Sequence, residues 1–339
     1  MFVRSIASSD LDSLLELARS TGVGVTTLPA NEERLARRIN VSERSVAGSA
    51  SQSDANYLFV LQDPSGCVVG TSAVAAAVGL DEPWYNYRVG LSVHASRELG
   101  VYRRLQTLFL TNDLTGVAEL CSLFLHADFR HSNNGALLSK SRFLFLADFP
   151  ERFASKVIAE MRGVSDESGH SPFWESLGRH FFKMDFSQAD YLSGIGNKSF
   201  IAELMPQHPV YVDFLSEAAR EVIGQVHEKT RPALSMLQGE GFSYQGYVDI
   251  FDAGPTVECA LNQIRAVRDS KVVTALPHQV QANERAYLVS NRKLHDFRVC
   301  LVHSRMIPEG LPISNEVLSK LNLVAGDTVR AVPLSAREE

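Results

Sequence analysis

The segment from Cys121 to Phe145, CSLFLHADFRHSNNGALLSKSRFLF, contains an abrupt change of pattern. An apolar run typical of a strand, Leu120 to Leu125, ends in a short polar loop, and a helical pattern runs from Asn134 to about Phe149. A helix that begins directly after a strand points several unpaired backbone N–H groups and the positive end of its dipole at one place. Such a place binds phosphate groups.

Two residues in this loop strengthen the prediction of a phosphate site. Arg130 supplies a guanidinium for a charge-assisted contact, and Gly135 allows the backbone to come close to a ligand. An ordinary strand-to-helix turn with a surface arginine is the alternative that this segment alone leaves open.

The composition indicates a folded protein with more than one domain-sized part. The chain has 339 residues, of which 45% are hydrophobic and 21% are charged. A formal net charge of -6 and the lack of long like-charge runs argue against a nucleic-acid partner. Without a signal-peptide pattern or a long apolar span, we expect a cytoplasmic protein that does not enter the membrane.

The cysteines and histidines give no sign of a metal or redox site. The four cysteines are isolated in sequence, which favours reduced thiols packed as small apolar side chains. Cys121 lies mid-strand without a recognisable base, so a buried side chain is favoured over an acyl-accepting nucleophile. Because the histidines lack metal-ligand spacing, we expect no metal. We expect no bound cofactor either.

The order of the predicted elements indicates an α/β (α+β) fold, with a mixed sheet flanked by helices. Runs of alternating apolar residues predict a hairpin within 57–74 and strands near 105–110 and 156–161, with helices between them. Two segments, 173–186 and 234–251, share a helix-Gly-strand pattern, which suggests a degenerate second repeat or a coincidence. We divide the chain into residues 1–190, residues 191–256 and a small β-rich C-terminal unit, 257–339.

The segment LFLHADFRHSNNGALL resembles the acyl-CoA-binding signature of the GNAT superfamily of N-acyltransferases. Arg130 and Gly135 fit this signature, whereas Asn133 replaces its first glycine. Since asparagine tolerates left-handed backbone better than other non-glycine residues, we expect Asn133 in that conformation and the loop preserved. The superfamily's strand backbone, here at Leu123 and Leu125, would hold the acyl-CoA, while the two side chains enter the core.

Segments along essentially the whole chain are similar to bacterial arginine N-succinyltransferases. They include STGVGVTTLPANEERL at 20–35, EPWYNYRVG at 82–90, EMRGVSDESGHSPFWESLG at 160–178, VIGQVHEKTRPA at 222–233 and YVDIFDAGPTVE at 247–258. This resemblance implies transfer of the succinyl group of succinyl-CoA to the α-amino group of L-arginine. That reaction is the first step of succinyl-dependent arginine catabolism.

The resemblance also implies site residues and an assembly. His227 matches the residue that acts as proton donor in this family, and a histidine suits proton transfer near neutral pH. Residues 1–190 would form an N-acyltransferase-like domain, and residues 191–256 its continuation or a second such unit. Succinyl-CoA and L-arginine are the expected partners, in a homo-oligomer or a hetero-oligomer with a related chain.

Candidates for substrate contacts come from chemistry. The guanidinium of arginine needs a carboxylate and favours an aromatic face, and the succinyl carboxylate needs an arginine or hydroxyls. The candidates are Trp84, Tyr85, Tyr87, Arg88, Glu160 and Arg162. In the alternative interpretation, the aromatic side chains are core residues and the charges form structural pairs.

Two other functions remain open from the sequence. The chain could be a weakly active or regulatory subunit of a two-chain enzyme, which a right-handed Asn133 would favour. The acceptor could also be ornithine or another basic amino acid.

Overall fold

The computed structural model describes residues 1–20, 28–194, 203–277 and 284–336. Within these ranges fifteen strands form one continuous sheet. The strands are β1 Phe2–Ser5, β2 Asn56–Gln62, β3 Val68–Ala75, β4 Asn86–Ser96, β5 Val101–Thr111, β6 Ala118–Leu125, β7 Lys156–Glu160, β8 Val210–Tyr211, β9 Ser243–Val248, β10 Pro255–Ala260, β11 Lys271–Pro277, β12 Arg285–Ser290, β13 Arg298–Ser304, β14 Leu311–Ile313 and β15 Thr328–Pro333. Their order in the sheet is β14-β11-β15-β12-β13-β1-β2-β3-β6-β7-β10-β9-β4-β5-β8.

Helices cover both faces of the sheet. They are α1 Leu11–Arg19, α2 Glu32–Val46, α3 Asn134–Asp148, α4 Pro172–Ser176, α5 Gly178–Phe182, α6 Phe186–Gly194, α7 Glu217–Val222, α8 Arg231–Gly239, α9 Arg265–Arg268 and α10 Asn315–Lys320. In the part of the chain that is described, no helix has the length and apolar character needed to cross a membrane.

The strand-loop-helix unit predicted from residues 121–145 is confirmed as β6 and α3. Helix α3 connects β6 to β7, which pair in parallel. The helix is buried around most of its circumference, and its buried residues include apolar ones such as Phe143 and Phe145 as well as the charged Lys140 and Arg142. A helix with this burial pattern is enclosed on all sides. It packs against β3 and β6 in one half of the sheet and against β12 and β13 in the other.

The predicted hairpin is also confirmed, as β2 and β3. Its turn depends on Asp63, whose Oδ1 accepts the backbone N–H groups of Ser65 at 2.9 Å and Cys67 at 2.8 Å. An aspartate that caps its own turn in this way fixes where the chain reverses.

The C-terminal strands β11 to β15 extend the same sheet, through antiparallel pairing of β13 with β1. Residues 257–339, predicted as a small β-rich C-terminal unit, include these five strands, and residue 257 lies within β10. Strand β10 pairs with β7 and β9 in the N-terminal half.

Three sequence expectations differ from the structure. Residues 86–111 form a long two-stranded ribbon of β4 and β5, although its polar, irregular alternation suggested only a short strand. Residues 173–186 are mainly helical, whereas 234–251 give a helix and then a strand, so the two segments are not the same unit. The thiol of Cys67 is exposed rather than packed.

A buried charge cluster joins the two halves of the sheet. The carboxylate of Glu240, which is 0% exposed, accepts Arg265 Nη2 at 2.7 Å and lies 2.9 Å from Lys140 Nζ. Lys140 and Arg265 also donate to the carbonyl oxygens of Leu334 at 2.8 Å and Pro333 at 3.0 Å. Helices α3 and α9 are thereby tied to the end of β15.

We expect Glu240→Ala to lower the free energy of unfolding by about 3–5 kcal/mol, because it leaves buried cations without their partner. Glu316→Ala is the matched control, since Glu316 pairs with Lys320 at 2.6 Å on the surface of α10. The control should leave the unfolding midpoint almost unchanged. Urea titrations of the two variants test this, and equal shifts would contradict a role for the cluster.

Candidate active site

A wedge opens between β6 and β7. The two strands pair only at Ala118 with Val157 and Glu119 with Ile158, and beyond that point they separate. Ser122 has a left-handed backbone, φ 54°, where the register of β6 with β3 shifts. This bulge turns the second half of β6 away from β7 and leaves one of its edges unpaired.

The free edge of β6 places backbone groups where the sequence predicted an acyl-CoA. One edge of β6 is paired with β3, where Leu125 lies opposite Gly70. The other edge of β6 faces the wedge. The side chains of Leu123 and Leu125 pack in the core below α3.

The wedge continues into a cleft of about 1190 Å³. Its walls come from β6, the loop before α3, the end of β7, the start of α8 and the turn after β9. Among the residues that line it are Leu123, Leu125, Arg130, Asn133, Asn134, Gly135, Glu160, Arg162, His227, Asp249 and Asp252.

The loop before α3 has the backbone that the sequence predicted. Asn133 is left-handed, with φ 63° and ψ 14°, and its side chain does not cap the helix. The Asn134 side chain instead closes the loop, donating from Nδ2 to the Phe129 carbonyl at 3.0 Å. The N–H groups of Gly135 and Ala136, in the first turn, therefore point out of the helix start toward the cleft.

Arg130 is anchored beside this helix start. Its Nε donates to the Leu125 carbonyl at 3.0 Å, and its guanidinium lies 6.0 Å from the centre of the Phe124 ring. The residue as a whole is exposed. A cation fixed at the end of β6 and a helix N-terminus thus face the same part of the cleft, which suits a phosphate group.

Gly135 is not required by the fold. Its φ is not positive, and a Cβ placed there would meet only the Leu125 side chain, at 3.9 Å. A side chain at this position would project beside the helix start instead. The absence of a side chain therefore serves close approach by a ligand rather than internal packing.

His227 lies at the start of the turn that leads into α8. Its Nδ1 accepts the Lys229 backbone N–H at 3.1 Å, so the neutral ring carries its proton on Nε2. The backbone N–H of His227 donates to the Arg162 carbonyl at 2.9 Å, and this bond joins His227 to the end of β7. Burial, together with the nearby charges of Arg162 and Lys229, lowers the pKa of His227 below its usual value.

The substrate candidates divide into two groups. Glu160 and Arg162 line the cleft. Trp84, Tyr85, Tyr87 and Arg88 lie outside it, at the base of the β4–β5 ribbon. Tyr87 is fully buried against Phe173, and Arg88 is exposed, 3.9 Å from Asp113.

Asn86, which lies between Tyr85 and Tyr87 in the sequence, contacts a residue of the cleft instead. Asn86, which is 1% exposed, donates from Nδ2 to Glu160 Oε1 at 2.7 Å, and its own Oδ1 is buried without a hydrogen-bond partner. This contact fixes the Glu160 carboxylate. Asn86 was not predicted, because only the pairing of β4 into the sheet brings it to β7.

Two further carboxylates were also missed. Asp252 accepts the N–H groups of Gly163 at 2.7 Å and Gly254 at 2.8 Å, and Asp249 accepts that of Phe251 at 2.7 Å. Burial raises the pKa of Asp249. The segment DIFDAG showed the turn chemistry that could have indicated this pair. Glu160, Asp249 and Asp252 together form what we call the acidic end of the cleft.

Cys121 lines the cleft but is unsuited to nucleophilic attack. Burial raises the pKa of its thiol to about 11, so the thiolate is scarce near neutral pH. Within the described ranges no three histidine, cysteine or carboxylate side chains cluster as a metal site would require.

We expect Gly135→Ala to raise the dissociation constant for CoA about tenfold or more, because the new methyl group would obstruct the helix start. The melting temperature should not fall, since alanine favours helix. Gly239→Ala in α8, where a Cβ would meet nothing within 4 Å, is the control and should bind CoA normally. Calorimetric titration tests this, and unchanged affinity in Gly135→Ala would contradict the phosphate site.

Comparison with known proteins is consistent with this geometry. Residues 1–266 match the family model "Arginine N-succinyltransferase beta subunit", and residues 270–333 match the model of its C-terminal domain. The chain is 59% identical to the arginine N-succinyltransferase subunit beta of Pseudomonas aeruginosa, covering 100% of this chain and 99% of the relative. It is 52% identical to arginine N-succinyltransferase of Shigella dysenteriae, with the same coverage.

A solved structure has the same fold over its whole length. It is the arginine/ornithine succinyltransferase subunit AI from Pseudomonas aeruginosa, 37% identical, with a TM-score of 0.90 and coverage of 99% of both chains. The full-length matches and the shared fold show that the chain belongs to the arginine N-succinyltransferase beta subunit family.

Proposed function

We propose that the chain is an acyltransferase that moves the succinyl group of succinyl-CoA to the α-amino group of L-arginine. The observation that carries the proposal is the division of charge along one cleft. Arg130 and the start of α3 lie at the end of β6, while the acidic end lies past the end of β7. An anionic donor and a cationic acceptor would meet between them.

The donor, succinyl-CoA, would lie along the wedge between β6 and β7. The pyrophosphate of CoA would lie against Arg130 and the N–H groups of Gly135 and Ala136, and the thioester would reach the free edge of β6. Asn133 has the left-handed backbone that this phosphate site would need, which supports an active chain over a regulatory subunit.

The acceptor would lie at the acidic end. The carboxylate of Glu160, held by Asn86, can pair with a guanidinium through two parallel hydrogen bonds. Ornithine offers a compact ammonium instead, which gains less from such a fork. This difference favours arginine as the better acceptor.

His227 would act at the sulfur in its neutral form. The amine attacks the thioester carbon, a C–N bond forms and the C–S bond breaks. The Nε2–H of His227 donates a hydrogen bond to the departing sulfur, and the thiolate takes its proton from solvent. The proton lost by the amine passes to solvent at the acidic end.

An oligomer fits both the relatives and the surface. The Pseudomonas aeruginosa relatives are named as subunits. The β4–β5 ribbon exposes apolar side chains, among them Leu91, Val93 and Tyr102, and a two-stranded ribbon has little stability of its own in water. Assembly with a further copy or a related chain would cover it.

Purified chain should release CoA from succinyl-CoA in the presence of arginine, and more slowly with ornithine. His227→Ala should lower kcat by roughly 10²–10⁴-fold while CoA binding is retained. His303→Ala, which removes an exposed histidine on β13, is the control and should keep full activity. Thiol release measured with each acceptor checks both points; full turnover in His227→Ala would exclude this histidine from the reaction.

The pH dependence of kcat shows whether His227 acts as a neutral hydrogen-bond donor or as a protonated acid. Because the pKa of His227 is lowered, the neutral form predominates at pH 7. Protonation of Nδ1 would break the hydrogen bond from the Lys229 N–H that orients the ring, so kcat should fall only as the pH drops below about 6.5. His227→Gln keeps an N–H donor, so it should lose this acid limb and retain part of the activity. A kcat that falls as the pH rises through neutrality would instead identify the protonated ring as an acid.

A further inference from the structure

Arg162 is a cation in the wall of the cleft whose side chain the described residues satisfy only in part. It lies just past the end of β7, where Nη2 donates to Ser165 Oγ at 2.8 Å. Its Nε is buried and has no hydrogen-bond partner. A buried donor without an acceptor costs free energy, so a site of this kind gains when a ligand supplies one.

The absence of an ion pair is unusual in these surroundings. The acidic end adjoins Arg162, since Gly163 donates to Asp252 and Met161 donates to the backbone of Pro255. Yet no carboxylate of the described residues forms an ion pair with Arg162. The neighbouring carboxylates are instead held by backbone N–H groups and by Asn86.

The other arginines on the wall of the cleft are already engaged. Arg130 is held by the Leu125 carbonyl at the phosphate end. Arg142, which is 2% exposed, donates to the Ser139 carbonyl and hydroxyl at 2.9 Å each and approaches the Cys121 carbonyl, so it supports the bulge in β6. Arg162 alone among these three combines an unsatisfied buried donor with a place beside His227.

We propose that Arg162 binds the terminal carboxylate of the donor's acyl chain, and so selects a dicarboxylic acyl-CoA over an uncharged one. This inference rests on the proposed function. The Arg162 carbonyl accepts the backbone N–H of His227 at 2.9 Å, and the two residues line the same cleft, so the guanidinium would lie near the reacting thioester. A carboxylate separated from the thioester by a short methylene chain reaches a group at that position, and a guanidinium binds it through paired hydrogen bonds.

The test compares succinyl-CoA with butyryl-CoA, which has the same chain length and no carboxylate. Arg162→Met should lower kcat/KM for succinyl-CoA about a hundredfold and leave butyryl-CoA nearly unchanged. Arg162→Lys keeps the charge without the paired geometry, so it should recover only part of the preference. Any effect of Arg162 on the pKa of His227 is common to both donors and cancels in their ratio.

Arg130→Met is the matched control, because Arg130 would contact the CoA portion that the two donors share. It should weaken both donors by the same factor. An equal loss on both donors in Arg162→Met would overturn the proposal and assign Arg162 to support of His227.

Calorimetric binding of the two thioesters separates this inference from the proposed function. Wild-type protein should bind succinyl-CoA more tightly than butyryl-CoA, and Arg162→Met should bind the two alike. Equal binding by wild type would overturn the role of Arg162 even if arginine is succinylated. A binding preference that Arg162→Met abolishes would support it even if arginine proves not to be the acceptor.

Discussion

The burial of α3 is the constraint on which the rest of the structure depends. This helix packs beneath both halves of the sheet, and its Lys140 joins Glu240 and the end of β15. Because its sides are enclosed, the helix cannot shift, and the direction of its N-terminus is fixed. The geometry of the proposed phosphate site is therefore a consequence of core packing, since the buried helix sets the direction of the Gly135 and Ala136 N–H groups.

The wedge needs a second support, because strands that have begun to pair in parallel tend to continue. Two arginines hold the bulge that separates them: Arg38 donates to Ser122 Oγ at 2.7 Å from one face, and Arg142 approaches the Cys121 carbonyl from the other. Burial lowers the pKa of Arg142 to about 10, which leaves the guanidinium charged near neutral pH. Polar support from both faces keeps Ser122 in its left-handed conformation and the edge of β6 open.

Features that depend on one short segment could be predicted from the sequence, whereas contacts between residues far apart in the chain could not. The change of period between β6 and α3, and the tolerance of Asn133 for left-handed backbone, are properties of a single segment, so both were predicted and are confirmed. The roles of Asn86, Asp249 and Asp252 depend on the strand order β7-β10-β9-β4 in the sheet. No local pattern encodes that pairing, which is why the nearby aromatics of PWYNYRVG were chosen in place of Asn86. The neutral tautomer of His227 likewise depends on the Lys229 N–H, a contact that only the fold reveals.

The cleft can be divided into groups that the fold requires and groups that it does not. Asn134, Asp252 and Arg142 satisfy backbone groups, and their loss would disturb the protein before any ligand binds. By contrast, neither the backbone conformation nor the packing requires a glycine at Gly135, and the Nε of Arg162 is buried without a hydrogen-bond partner. An arrangement that folding does not explain, at groups that line the cleft, is best explained by what binds there. Under the proposed function, the start of α3 with Arg130 and the Arg162 side chain would bind two separate anionic groups of one donor, with the thioester between them.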